Sequence, residues 1–193
     1  METLIEHISK YIDPKPEELD FLKQSLVKEV YQKKDMIFEA GKVARELYFV
    51  SKGCVRLFYW VDGVDKTAFF YTEGQFICAG ESFNFGVPAM ENYQAVEETE
   101  LIVFTKSCID ALIKEIPRLE IIARIAVENE LIKSQKVIAS FVTQSPEARY
   151  QSLFDEQKEL FQRVPQQYIA SYLGVSPETL SRIKKRIYKK ERS

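Results

Sequence analysis

Four glycines, Gly41, Gly53, Gly63 and Gly74, fall 12, 10 and 11 residues apart in a stretch, residues 30–104, otherwise rich in aromatic and β-branched side chains. Strand-like runs with a turn signal at roughly 8- to 12-residue intervals point to a small all-β barrel or jelly roll. Its clearest part is residues 47–71, where extended segments are joined at Lys52 and Gly53 and again at Asp62 and Gly63. An Asp-Gly pair suits a tight hairpin because both residues tolerate positive φ.

Helical spacing takes over on either side of these runs. Leu4, Ile5, Ile8, Ile12, Leu19, Leu22, Leu26 and Val27 suggest a short helical lead-in over residues 3–29, interrupted by Asp13, Pro14, Lys15 and Pro16. After the barrel, Ser107 and Asp110 have the spacing of a capping box, so a helix is expected to start there and to break at Ile116 and Pro117. Residues 118–142 then contain neither proline nor glycine. As one helix they make a rod of about 37 Å.

Along that rod Ile121, Ile125, Ile132 and Ala139 are spaced close to a heptad, while Val127, Leu131, Ile138 and Phe141 make another apolar side. Two apolar faces call for two partners, the barrel and the same helix of a second chain; a helix sunk in a monomer's core is the alternative. The next boundary lies at Thr143, Gln144, Ser145 and Pro146, with Ser145 suited to cap a new helix and Pro146 to its first position. The expected domains are residues 1–143, including the dimerisation helix at about 118–142, and 144–193. Tyr150, Leu153, Phe154, Leu160 and Phe161 mark one amphipathic helix stopped by Arg163, Val164 and Pro165.

Composition narrows the function classes. Hydrophobic residues make up 46% and charged residues 29%, ordinary for a soluble protein. No apolar run approaches the roughly 18 residues of a membrane span, so no membrane partner is expected. The first residues are acidic and interrupted where a secretory signal is basic and continuously apolar, which favours the cytoplasm. Cys54, Cys78 and Cys108 fit reduced thiols rather than a disulfide framework. His7 is the one histidine, so no site needing several imidazoles can be built in one chain. That argues against a metal-dependent barrel enzyme of the cupin type. No enzymatic activity is expected.

The net charge of −2 conceals a segregation. Residues 163–193 carry Arg163, Arg182, Lys184, Lys185, Arg186, Lys189, Lys190 and Arg192 against Glu178 and Glu191, a surplus of six positive charges that leaves −8 on the remainder. A basic end on an acidic body suits a phosphate-binding module joined to a sensor.

Within that basic end, two short helical patterns meet at Gly174 over residues 164–185, as in a helix-turn-helix. Ala170 is small where two helices cross, Gly174 permits the positive φ of a tight turn, and Val175, Leu180 and Ile183 give the second helix a buried stripe. Ser176 can cap that helix and Pro177 can occupy its first position. Glu178, Thr179, Ser181 and Arg182 would project from its first turns, where Glu can accept from cytosine N4 and Arg can fork onto guanine. Gln166 joins this DNA-binding set, and Lys184, Lys185 and Arg186 suit phosphates.

These residues resemble the cyclic-AMP receptor protein and fumarate-nitrate reduction regulator (Crp-Fnr) family, in its short form. The most specific matches are residues 168–183 (YIASYLGVSPETLSRI) and 47–56 (LYFVSKGCVR). The resemblance implies an α+β protein: a cyclic-nucleotide-binding-like β-roll, a long dimerisation helix and a C-terminal winged-helix-like helix-turn-helix domain. It further implies a homodimer that binds double-stranded promoter DNA and engages RNA polymerase. Glu178 and Arg182 match the family's base-reading positions, Ser176 and Thr179 its backbone-contacting ones. Pro177 stands where a basic base-contacting residue is frequent, so a different operator is expected. A chain ending at Ser193 leaves little room for the β-hairpin wing.

The sensor departs further from that family. Gly80 and Glu81 keep part of a phosphate cassette in a shifted register, but no arginine occurs between Arg56 and Arg118. A buried phosphate would lack its charge partner, so cyclic AMP is not expected to bind. Heme and an iron–sulfur cluster are not expected either, for want of axial ligands or clustered cysteines. Glu81, Asn84 and Tyr93 are the candidate lining for an unidentified small-molecule effector. Two alternatives remain: an effector-independent DNA-binding protein with a degenerate sensor, and a ligand-binding or protein-interaction module that does not bind DNA.

Overall fold

A computed structural model describes residues 1–190 of the chain; Glu191 and Arg192, counted above in the basic end, lie outside the described residues. Packing forms two compact units, one of Met1–Leu57 with Phe70–Glu130, the other of Phe58–Phe69 with the described chain from Leu131 onward. The lead-in is two helices, α1 (Glu2–Ser9) and α2 (Pro16–Ser25). Val27 is not helical as its spacing suggested. It opens β1 (Val27–Tyr31), where it pairs with Val103, and this cross-strand pairing outweighs the local pattern.

The β region continues through β2 (Met36–Phe38), β3 (Glu46–Lys52), β4 (Val55–Val61), β5 (Val64–Tyr71) and β6 (Phe76–Ile77). A short helix, α3 (Gly80–Phe85), separates these from β7 (Asn92–Ala95) and β8 (Thr99–Thr105). The strands form two four-stranded sheets, ordered β1-β8-β3-β6 and β2-β7-β4-β5. The jumps between sequence-distant strands are those of a β-roll, so the fold class is α+β, with the roll that the resemblance implied standing where the glycine rhythm pointed to a small barrel or jelly roll.

Asp62 and Gly63, at φ 52° and 75°, make the β4–β5 turn. Gly53 is required on two counts: its φ is 102°, and a Cβ there would lie 2.7 Å from the Glu98 carbonyl oxygen.

The helix after the roll, α4 (Lys106–Glu115), starts earlier than its capping pattern suggested. Thr105, the last residue of β8, is the cap; its Oγ1 accepts from the Cys108 amide at 3.2 Å, and the Ser107 hydroxyl lies beside it. The strand leads directly into the helix, so the hydroxyl at the strand's end reaches the orphan amide first. A 3-10 turn (Pro117–Leu119) follows the expected break and leads into α5 (Glu120–Thr143). Leu4, Ile8, Leu22, Phe49, Ile102, Leu112, Ile116 and Ile122 form the first unit's core, so α1, α2 and α4 are packed against the roll. Arg118 fixes this arrangement, bonding both oxygens of Glu18 at 2.7 and 2.8 Å and the Asp13 carbonyl at 3.2 Å.

The second unit contains the β4–β5 hairpin tip, the latter half of α5 and the C-terminal helices. The division between the units falls inside α5, and Phe141 packs with the C-terminal helices. As expected, Ser145 caps α6 (Pro146–Glu156), accepting from the Ala148 amide at 3.2 Å. The single amphipathic helix expected next is instead two, α6 and the four-residue α7 (Leu160–Arg163). The Phe161 ring lies 5.2 Å from that of Tyr150. In a continuous helix an 11-residue separation would hold them about 16 Å apart. The break lets Tyr150, Phe154 and Phe161 close into one aromatic cluster.

The Phe49 side chain is fully buried, so Phe49→Ala is expected to lower the unfolding free energy by about 3–5 kcal/mol. Asp20→Ala, on the exposed side of α2, should change it by less than about 0.5 kcal/mol. Urea titration followed by circular dichroism measures both.

Candidate nucleic-acid interface

The basic end folds into α8 (Gln166–Tyr172) and α9 (Pro177–Lys190) across a short turn. Ile169, Ala170, Leu173, Leu180 and Ile183 are buried, so alanine at 170 and the 180/183 stripe do the packing read from the sequence. The turn closes through the Gly174 amide to Ser171 and the Val175 amide to Ala170, each at 3.0 Å. Gly174 has φ 69°, and a Cβ there would meet Phe141 Cε1 at 2.8 Å. The turn thus needs glycine for backbone conformation and for close approach to α5.

Burial of Leu180 and Ile183 leaves the opposite side of α9 outward. Ser176, Glu178, Ser181, Arg182 and Lys185 are exposed there, as is Gln166 at the start of α8; Thr179 is half-buried. Ser176 caps α9, its Oγ accepting from the Thr179 amide at 3.2 Å and lying 3.3 Å from the Thr179 hydroxyl. Arg182 donates to that hydroxyl at 3.1 Å, so Ser176, Thr179 and Arg182 form one chain of hydrogen bonds along the helix's first turns. The Glu178 carboxyl is held below the usual carboxylate range, first by the Ser176 side chain, then by its own amide, with the Arg182 charge adding to both. It is an ionised acceptor at neutral pH, as pairing with an amino group requires.

The cations of α9 are not equivalent. Lys184 Nζ lies 5.7 Å from the Phe161 ring centroid, and burial lowers its pKa. Arg186 is paired with Glu147 of α6 at 3.4 Å, which ties α9 to its own unit. Sequence reasoning passed over Arg149, which meets Phe141 and the end of α8. Its signal was an arginine four residues after the capping Ser145, one helical turn in and facing back toward α5.

The proposed effector residues are dispersed in character. Glu81 and Asn84 are exposed on α3, whereas Tyr93 is buried and its hydroxyl donates to the Cys78 carbonyl at 3.1 Å. Tyr93 belongs to a row of rings, 6.4 Å from Phe38 and 6.3 Å from Tyr71 between centroids. The Tyr71 hydroxyl is bonded to Glu130 of α5 at 2.8 Å. Arg56 is buried too, with its Nε donating to Gln94 at 2.9 Å. Among the described residues no three His, Cys, Asp or Glu side chains are grouped to hold a metal ion, and no helix is long and apolar enough to cross a membrane.

Residues 28–116 match the family model of the cyclic nucleotide-binding domain. A search of curated proteins finds no match. Among solved structures, the c-di-GMP-responsive global regulator CLP of Xanthomonas campestris is 18% identical and superimposes with a TM-score of 0.72, covering 92% of this chain and 93% of that one. A CRP/FNR-family transcriptional regulator of Thermus thermophilus gives 18% identity and a TM-score of 0.66, with 85% and 87% covered. The catabolite activator protein of Thermus thermophilus is 25% identical over 94% and 87%, with a TM-score of 0.52.

Gly174→Ala should destabilise the protein by more than Gly63→Ala. Both positions have positive φ, with a strain of about 1 kcal/mol, but only residue 174 also meets a side chain. Thermal melting of the two variants measures the difference, and Phe141→Leu should shrink it.

Proposed function

We propose, from the premise that this chain has the fold of the Crp-Fnr regulators and carries a cyclic nucleotide-binding domain at residues 28–116, that it regulates transcription by binding promoter DNA as a homodimer. The observation that carries this proposal is the capped start of α9, where Glu178, Ser181 and Arg182 face outward while Leu180 and Ile183 are buried. α8 and α9 are then a helix-turn-helix, with α9 as recognition helix in the major groove. Glu178 and Arg182 read base edges, Ser176, Thr179 and Gln166 position the backbone, and Lys185 meets phosphate. Lys184 has a smaller part there than its sequence position suggested, being packed on Phe161.

Dimerisation is supported by α5, on which Val127, Leu131, Ile132, Ile138 and Val142 are all more than half exposed. An apolar row of that kind on a 24-residue helix is the form of a coiled-coil partner surface. Two copies would present recognition helices about 34 Å apart, one turn of DNA. RNA polymerase is the expected protein partner, and the cytoplasm the expected compartment. The protein is proposed to act by binding rather than by catalysis.

The β-roll favours a divergent or vestigial sensor. Tyr71 and Tyr93 fill its interior with their own hydrogen-bonded rings, and buried Arg56 is engaged by Gln94. We propose that cyclic AMP, heme and iron–sulfur clusters are not its cofactors, and that Glu81 and Asn84 are the accessible residues for any small effector. Titration calorimetry with millimolar cyclic AMP should give no binding isotherm. A saturable one would restore the nucleotide to the sensor.

Selection from a randomised duplex pool at two salt concentrations tests the DNA proposal. The expected product is a palindromic consensus. Arg182→Ala should lower affinity for it by roughly 5- to 150-fold, or about 1–3 kcal/mol, and relax one base position. Lys185→Ala should weaken binding evenly across sequences and reduce the salt slope by about 1 per protomer. Recovery of no consensus, with binding set by salt alone, would overturn sequence-specific regulation.

A further inference from the structure

We propose that Arg149 is a positioning residue for DNA recognition, a guanidinium staple that sets the turn before α9 against the end of α5. The inference rests on the DNA-binding reading above. Arg149 lies in the first turns of α6, and its side chain leaves that helix for two others. Its Nε and Nη2 donate to the Leu173 carbonyl at 3.2 and 2.9 Å, and its Nη1 donates to the Gln144 carbonyl at 2.8 Å. Its guanidinium carbon stands 4.5 Å from the centroid of the Phe141 ring.

Both acceptors are carbonyls at helix ends. Leu173 closes α8 immediately before Gly174, and Gln144 follows the last residue of α5. Such carbonyls have no partner within their own helix and carry the negative end of its dipole, so one cation satisfies two of them at once. Phe141 completes the arrangement from the other side, because its ring edge occupies the space a Cβ on Gly174 would need. The turn is therefore held between an aromatic ring on α5 and a guanidinium on α6. Any rotation of α8 and α9 about that turn breaks the paired bonds to Leu173 or separates Gly174 from Phe141.

Arginine is required rather than a positive charge alone. A planar fork reaches two carbonyls while stacking on a ring, whereas an ammonium group delivers point contacts from a flexible stem. Arg149 is only half-exposed and its donors point inward to protein carbonyls, so it acts through the turn and not by touching phosphate.

The test uses Arg149→Lys in the full-length protein, with Arg149→Gln as the charge-free control, at a temperature where circular dichroism shows each fully folded. Hydrogen exchange of the amides of residues 173–176 reads the staple directly, and titration of the selected duplex reads its consequence. Exchange at the turn is expected to rise at least tenfold in both variants. Affinity for the consensus should fall roughly 10- to 100-fold, while affinity for random duplex and the salt slope stay at wild-type values. Unchanged exchange would overturn the staple. Faster exchange with wild-type consensus affinity would reduce it to a structural contact and overturn the positioning role. A wild-type protein that selects no consensus refutes DNA recognition itself, and the positioning role with it, while the exchange data still report the staple.

Discussion

α5 carries a demand that much of the chain answers: a 24-residue helix with apolar side chains on more than one side needs covering on each. Near its start Ile122 is buried with Leu4, Leu22, Phe49 and Ile102, in the core that also holds α1, α2 and α4. Near its end Phe141 packs on Gly174 and Arg149. One continuous helix thus supplies part of the packing of each compact unit, and Glu130, where the first unit's share of the helix ends, is bonded to Tyr71 of the roll.

The features that could be read from sequence are those whose physics is local. Asp62 and Gly63 make a tight turn because of their own backbone preferences, Ser145 and Pro146 start a helix, and Gly174 bends the chain between α8 and α9. The 180/183 stripe required only that helical periodicity be projected onto a face. The exposed start of α9 followed from the same projection, since Glu178, Ser181 and Arg182 stand one or two positions from Leu180 and so turn away from the buried face.

What was misread depended on strand pairing, side-chain packing and element ends that helical periodicity does not record. Val27 has the spacing of a helical residue and becomes a strand because Val103 is available to pair with it. Thr105 displaces Ser107 as a cap because β8 ends against the helix it precedes, which no helical window records. Gln157, Lys158 and Glu159 are tolerable helix residues, and the break there is imposed by Phe161 returning to Tyr150. Tyr93 looked available beside Glu81 and Asn84, but the roll turns it inward toward Cys78 and Tyr71. Arg149 was passed over for the same reason, since its acceptors lie at Gln144 and Leu173, on either side of it in the chain.

The charge segregation shows where counting residues misleads. The basic end has six more positive than negative charges, yet its cations divide by environment. Arg186 is paired with Glu147 and Lys184 is drawn over Phe161, where burial lowers its pKa, so both contribute to holding α9 in its unit. Arg182 is braced by Thr179 at the helix start, and Lys185 is exposed beyond it. Counterion release counts phosphate contacts and not formal charge, so under the proposed DNA-binding function the salt dependence should follow the smaller outward-facing set. Under that proposal α9 relies less on indiscriminate attraction than on the geometry of its first two turns. Those turns are held by Ser176 within the helix and, through Leu173, by Arg149 behind it.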